Sequence, residues 1–360
     1  MRVLILWADE HSANLGVRAL AQGTAVMARA AWGDDIEIDY QDLAANSDGF
    51  SVSMELIKKD IRQLNGPIRS WLRKYDRIID TGAGDSFTDI YGALRIRRIL
   101  YTQISARRLG IPISMGPQTI GPFSLRSSKL LARLSMRRMA VVAARDTSSA
   151  AYARRLGRKA VVRATDVVFA LPQPKVDRQA DVIINVSGLL WHDNSHVDAE
   201  QYRAAVRRLI DQMLERGRDV TLLAHVIDNP SRDNDLIPTR ELAAEYRDRV
   251  ETVIPSSLDE VREVVASANV VIGSRMHACL NALSVGTPAI PWAYSRKFAP
   301  LMDDIGWRHS IDLRDSDDPV AATMSILDGS SDSTLRSEVA RLRDETDIRT
   351  RDFVDALARA

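Results

Sequence analysis

Residues 269–290 read NVVIGSRMHACLNALSVGTPAI. The apolar run NVVIGS passes directly into a helical pattern over 276–285, and a second apolar run, TPAIPWA, follows at once. Ala278, Ala282 and Gly286 are small residues spaced for close packing of that helix. Two strands joined through a helix this directly form a parallel crossover, because a hairpin cannot join parallel neighbours. Two cationic side chains interrupt the apolar pattern, Arg275 at the strand end and His277 in the first helical turn. The helix dipole disfavours a cation there and favours neutral imidazole. The sequence names no protein partner for Arg275. The pattern therefore predicts an anion site with a histidine suited to acid/base work, with Ser274 beside it.

Working outward, the same alternation runs through most of the chain. RVLILWA, DRIIDTG, IPISMG, AVVAAR and AVVRATD read as strands, with helical patterns over 17–31, 91–109, 127–139 and 148–156. A second round follows: DVIINVSG, DVTLLAHV, VETVIP and NVVIGS, with helices over 199–216, 238–248, 258–268 and 276–285. Such alternation predicts an α/β protein with parallel sheets covered by helices on both faces. Between the two rounds lies ALPQPKVDRQAD, two prolines and then polar residues, which reads as a linker. The expected organisation is two Rossmann-like doubly wound domains, 1–174 and 178–330, facing a central cleft, followed by an amphipathic C-terminal helix over 333–360.

Composition bounds the rest. The 360 residues exceed one ordinary core, so two domains of roughly 150–180 residues are expected. Hydrophobic residues make up 45% and charged residues 27%, the balance of a globular protein. No stretch of about eighteen apolar residues occurs, and the first residues are too short an apolar run for a secretory signal. Cys279 is the one cysteine, which excludes an intramolecular disulfide and a cysteine-rich metal site and suits a reducing, cytoplasmic setting. The net charge is +1, yet residues 90–145 hold eleven Arg and Lys and no Asp or Glu. That basic segment reads as a solvated face, or as a surface of the helices over 91–138 that meets a phosphorylated carrier or, peripherally, anionic lipid at the inner face of the plasma membrane. Nucleic acid is disfavoured, since no aromatic platform interleaves the basic residues.

In parallel α/β sheets ligands gather at the carboxyl ends of the strands. After the first strand come Asp9, Glu10 and His11, then Asn14 and Gly16 in a turn leading into a helix. After DRIID come Gly82, Gly84 and Asp85; the spacing is neither a dinucleotide fingerprint nor a P-loop. Glycines admit close ligand approach there, and Asp85 can accept bonds from sugar hydroxyls. Two Gly-Pro pairs flank Gln118 in a rigid loop, and Arg145 ends a strand beside a helix start at Asp146 or Thr147. His225, with Asp228 after it, and the group His192, Asp193, Asn194 and His196 are scattered without a metal-ligand spacing, so hydrogen bonds to a polyhydroxylated ligand are expected instead.

GAGDSFTD, GPQTIGPF, ARDTSSAAYARRLG, TDVVFAL, VIGSRMHACLNALSVGTPAI and YSRKFAPLMDDIGW follow one another in an order that resembles the polysaccharide pyruvyl transferase family, over about residues 1–307. The resemblance implies a GT-B-like fold, phosphoenolpyruvate as donor, and a hydroxyl pair on a glycan or glycolipid as acceptor, giving a pyruvate ketal and phosphate. The family's Arg-x-His falls on Arg275 and His277, and its Arg-Asp-x-x-Ser on Arg145, Asp146 and Ser149. Where members usually carry Asn-x-Gly-Asp, this chain has Asn14, Leu15, Gly16 and Val17. On this reading His277 and Arg275 are catalytic, and Arg145, Arg275, Ser274 and Lys297 bind the donor. Asp9, Asn14, Gly84, Asp85, Gln118 and His225 meet the acceptor. Neither metal nor other cofactor is implied, and oligomerisation stays open. Two alternatives stand beside it: a nucleotide-sugar glycosyltransferase of the same architecture, and an inert glycan-binding member.

Overall fold

The computed structural model describes all residues except 44–49, 64, 83–86 and 228–232, and its contacts divide the chain into two compact units. The first holds Met1–His11, Val17–Ala170 and Thr346–Ala360; the second holds Ser12–Gly16 and Leu171–Glu345. The sequence reading drew the first boundary at 174 and set the last helix apart. The contacts instead share the helix Asp332–Ala358 between the units and carry five residues of the first loop into the second unit.

The first unit is built on β1 (Arg2–Leu6), β2 (Glu37–Gln41), β3 (Arg77–Asp80), β4 (Ile113–Gln118), β5 (Val142–Ala144) and β6 (Val162–Arg163), in the order β2-β1-β3-β4-β5-β6, parallel throughout. Alternation along the strands divides its core into two layers. Leu4, Leu6 and Ile78 face one layer, and Val3, Ile5 and Ile79 face the other. Phe353 and Leu357 of the C-terminal helix complete that second layer, each contributing about 1.5–3 kcal/mol on full burial. The strand β2 lay outside the sequence expectations. EIDYQ buries only Gln41, so this edge strand carries no apolar run to announce it.

The second unit holds β7 (Val182–Asn185), β8 (Val220–Leu223), β9 (Glu251–Val253), β10 (Val270–Gly273), β11 (Ala289–Ala293) and β12 (Ile311–Asp312), in the order β12-β11-β10-β7-β8-β9, again parallel. Val182, Ile184, Val220, Leu222, Val270 and Ile272 put one face into a shared core. The direction of winding reverses between β7 and β10, so the loops after these two strands diverge and open a crevice at their carboxyl ends. Arg275 and His277 stand there. In the first unit the reversal lies between β1 and β3, beside Asp9.

Candidate functional site

The strand β10 ends at Gly273, and the helix Met276–Ser284 begins three residues later with Arg275 at its N-cap position. From Ala278 to Ser284 every residue of that helix is buried, which the small side chains permit. Cys279 belongs to this packing: its thiol lies 3.4 Å from the Gly273 carbonyl, and burial pushes its pKa up, so it is no nucleophile.

The guanidinium of Arg275 has protein partners that the sequence did not announce. Nε and Nη2 donate to Asp235 Oδ1 at 3.0 and 2.6 Å, and Nη2 also lies 2.5 Å from Asp233 Oδ1. Burial alone would lower the pKa of Arg275. The two carboxylates overcome that and raise it, so the group is a permanent cation. Asp235 is fully buried, and its remaining lone pairs are taken up by the backbone. Oδ1 accepts from Gly188 N at 2.8 Å, and Oδ2 accepts from His225 N at 3.2 Å and Val226 N at 3.0 Å. One carboxylate thereby ties together the chain after β7, after β8 and after β10. Asn185 Oδ1 adds a bond from Arg275 N at 3.0 Å. Among the described residues, Nη1 of Arg275 makes no hydrogen bond, in contrast to Nε and Nη2.

His277 is half-buried beside this clamp, and its carbonyl accepts from Asn281 Nδ2 at 2.8 Å. The same Asn281 nitrogen lies 3.5 Å from His225 Nε2. The first βα loop closes over the pair. Asn14 and Val226 form an antiparallel bridge, Ile227 N donates to the Ala13 carbonyl at 3.1 Å, and Gly16 N donates to Asn14 Oδ1 at 2.9 Å. A β-carbon at position 16 would stand 2.7 Å from His277 Nδ1, so only glycine lets the loop lie against the imidazole. Asn14, read as an acceptor contact, serves here as the brace of that loop.

His225 needs a correction. It is 1% exposed, so it does not present itself to an acceptor. Burial, reinforced by His277 and opposed by Asp235, depresses its pKa from 6.5 to about 3, which keeps the ring neutral. Protonation therefore favours the unfolded chain. The contribution of His225 is complete above pH 6.5 and is withdrawn as pH falls from 6.5 towards 3. Urea unfolding across that window is expected to show a steeper loss of stability than in His225→Gln, by up to about 1.4 kcal/mol per pH unit. Parallel curves for the two proteins would show that the ring is not buried neutral.

Ser274 is buried too, with its hydroxyl 2.8 Å from Tyr202 Oη, which in turn accepts from Ser187 N at 3.0 Å. Lys297 is half-buried at the start of the helix Phe298–Asp304, after β11. A cavity of about 750 Å³ lies elsewhere in this unit, against Arg208 and Arg314. Both arginines are paired, with Asp318 and Asp312, and Asp198, Asp315 and Asp317 line the cavity too, so it offers no surplus positive charge to an anion.

The other expected residues belong to the first unit. Arg145 is 3% exposed and paired with Asp166, Nη1 to Oδ2 at 3.0 Å, while Nε donates to Thr119 Oγ1 at 2.9 Å. Arg145, expected to bind the donor at that strand end, is ion-paired within the protein. Asp146 caps the helix Thr147–Arg155 through Ser149 N, and Ser149 Oγ receives Ile120 N at 3.0 Å, so the Arg-Asp-x-x-Ser segment braces the Gly-Pro loop. Gln118 is buried at the end of β4; Nε2 donates to the Asp80 carbonyl at 3.1 Å, and Oε1 has no partner among the described residues. Asp9 Oδ1 accepts from His11 N. Gly84, Asp85 and Asp228 lie outside the described residues.

Sequence reasoning missed Asp235. An aspartate directly before a helix reads as an N-cap. Here Asp235 precedes the helix Leu236–Tyr246 and its side chain caps nothing, because it turns to Arg275. A buried arginine at a strand end was the available signal, since such a charge requires a carboxylate.

A family model described as polysaccharide pyruvyl transferase matches residues 32–296. The amylovoran biosynthesis protein AmsJ of Erwinia amylovora is 24% identical over 256 residues, covering 65% of this chain and 60% of that protein. The chain thus spans about 60% of the length of this curated relative. A solved UDP-GlcNAc 2-epimerase from Neisseria meningitidis, bound to UDP-GlcNAc, aligns over 100% of both chains with a TM-score of 0.61 and 11% identity. Sucrose-phosphate synthase from Thermosynechococcus elongatus aligns over 97% of this chain and 94% of its own, with a TM-score of 0.54 and 13% identity. At such identities the likeness is one of fold. It bears out the GT-B-like α/β class with a C-terminal helix.

Proposed function

The chain belongs to the polysaccharide pyruvyl transferase family, and from that membership we propose that it moves pyruvate from phosphoenolpyruvate onto a hydroxyl pair of a glycan as a ketal. The observation that supports this reading most directly is the placement of His277. A half-buried imidazole in the first turn of a helix at a sheet's switch point stands next to a guanidinium that cannot swing away.

The reaction asks for two things. The donor carries a carboxylate and a phosphate, which need fixed positive groups. Its methylene carbon must gain a proton while two acceptor oxygens bond to the central carbon and the carbon–oxygen bond to phosphate breaks. Two hydroxyl protons are released, one matching that gained by the methyl group and one leaving on hydrogen phosphate. His277 serves as the group that carries a proton between hydroxyl and carbon, a task for an imidazole near neutrality. Arg275 Nη1, Lys297 and the first backbone N–H groups of the helix Met276–Ser284 face the donor's anionic ends. Asp233 and Asp235 outnumber Arg275, so the arginine supplies directed hydrogen bonds more than net charge. Arg145 and Ser274 remain donor-side residues in this proposal, with Asp9, Asn14, Gln118, Gly84 and Asp85 on the acceptor side.

The test is acceptor-dependent release of phosphate from phosphoenolpyruvate by the purified chain across a panel of glycans, with mass spectrometry of the acceptor for a pyruvate ketal. Saturable glycan binding without phosphate release would instead make this an inert member. The loop contact gives a sharper expectation. In Gly16→Ala the new methyl group displaces the His277 ring, and turnover is expected to fall on the order of 100-fold with the fold intact. Normal turnover in that variant would show that the ring position is not critical.

A further inference from the structure

We propose that one face of the first unit, formed by the helices Ala93–Arg108 and Arg126–Met136, is a docking surface for a membrane rich in anionic lipid. This goes beyond the transfer reaction and does not depend on it. The two helices lie side by side. Asp89, just before the first, accepts from Ser124 N and Leu125 N at 2.8 Å, and Arg107 near its far end reaches the Leu134 carbonyl. Their inner sides enter the core through Ile96, Ile99, Leu100, Ala132 and Met136.

The outer side is where the pattern departs from that of an ordinary surface helix. Leu130, Leu131 and Leu134 are exposed at 56%, 38% and 46%, opposite the buried stripe of Ser128, Ala132 and Ser135. Leu94 and Leu125 extend the apolar area at the end where the two helices begin, at 61% and 46%. Half of the large apolar side chains exposed among the described residues fall between Ile90 and Leu134, so this is a patch rather than scatter. Alongside it Arg126, Lys129, Arg133 and Arg137 recur every three or four residues and are all exposed. No Asp or Glu occurs from Ile90 to Arg145 to compensate them.

An apolar strip flanked by a basic stripe matches an interface of acyl chains and anionic head groups. Charge decides against a soluble partner of ordinary composition: the exposed Arg126, Lys129, Arg133 and Arg137, in a segment without Asp or Glu, select an extended negative surface. No described helix is long and apolar enough to cross a membrane, so the contact is with its surface.

Sedimentation of the full chain with vesicles tests this directly. At low salt the chain is expected to pellet with vesicles of equal parts phosphatidylcholine and phosphatidylglycerol and to stay in solution with phosphatidylcholine alone. Two variants change only exposed side chains: Leu130→Gln with Leu131→Gln and Leu134→Gln, and Arg126→Gln with Lys129→Gln and Arg133→Gln. Each is expected to weaken binding about tenfold or more while keeping its melting temperature. Absence of binding to the anionic vesicles overturns the proposal. So does equal binding to neutral ones, or unchanged binding in the leucine variant. A dimer that the leucine substitutions convert to monomer, without vesicle binding, assigns the face to a second copy of the chain.

Discussion

His277→Ala is expected to lower acceptor-dependent phosphate release about a thousandfold while leaving the unfolding transition in place. The ring is half-buried and packs against the Gly16 backbone, so its loss opens a small space without stranding a charge. Stability should therefore change little. The catalytic loss should be large because no other described side chain of the second unit is placed to take over. The neighbouring imidazole, His225, is buried and, with its pKa pushed down to about 3, stays in the neutral form. The decisive measurement follows the carbon. In heavy water, transfer by the native chain is expected to put one deuteron into the product methyl group, and His277→Gln should stop both incorporation and ketal formation. If the variant formed ketal at close to the native rate, proton transfer would belong elsewhere and His277 would be a packing residue. A glutamine keeps the size and a hydrogen-bonding end, so it separates proton transfer from mere occupancy.

The contrast between those two histidines marks how far sequence alone carries. The crossover at 269–290 was legible because strand, helix and strand each show their own period, and β10, the helix Met276–Ser284 and β11 stand where the pattern put them. The edge strand β2 was not, since its exposed side chains are polar and mimic a loop. Arg275 and His277 were legible as a site because a charge between two buried segments is costly and calls for a reason. What sequence could not reveal is which neighbours satisfy them. Asp235 looks like any helix cap, and the carriage of Ser12–Gly16 by the second unit depends on pairing with the chain after β8, more than 200 positions away. Arg145 shows the same limit from the other side: a strand-end arginine suggests an anion, yet Asp166 already pairs with it.

The second large effect follows from that hidden partner. Asp235→Asn removes the fully buried charge opposite Arg275 and weakens the acceptor of three backbone N–H groups. The cost is expected at roughly 3–5 kcal/mol, because a buried guanidinium is then left with the half-buried Asp233 alone. Transfer should be lost as well, since Nη1 is aimed only as long as Nε and Nη2 are held. Arg275→Met alone is expected to destabilise for the converse reason, leaving the carboxylate without its cation. The pair Asp235→Asn with Arg275→Met tells clamp from coincidence. With both charges gone the desolvation cost vanishes, so urea unfolding should show the double variant more stable than the sum of the single losses by about 1–3 kcal/mol. Activity should not return with it, because the donor has lost its hydrogen-bonding edge. Simple additivity of the two losses would mean that the carboxylate and the guanidinium act independently, and that Arg275 is held by the sheet rather than by Asp235. Recovery of stability without recovery of transfer is the outcome that makes one ion pair responsible for both the fold at the switch point and the aim of the group that meets the substrate.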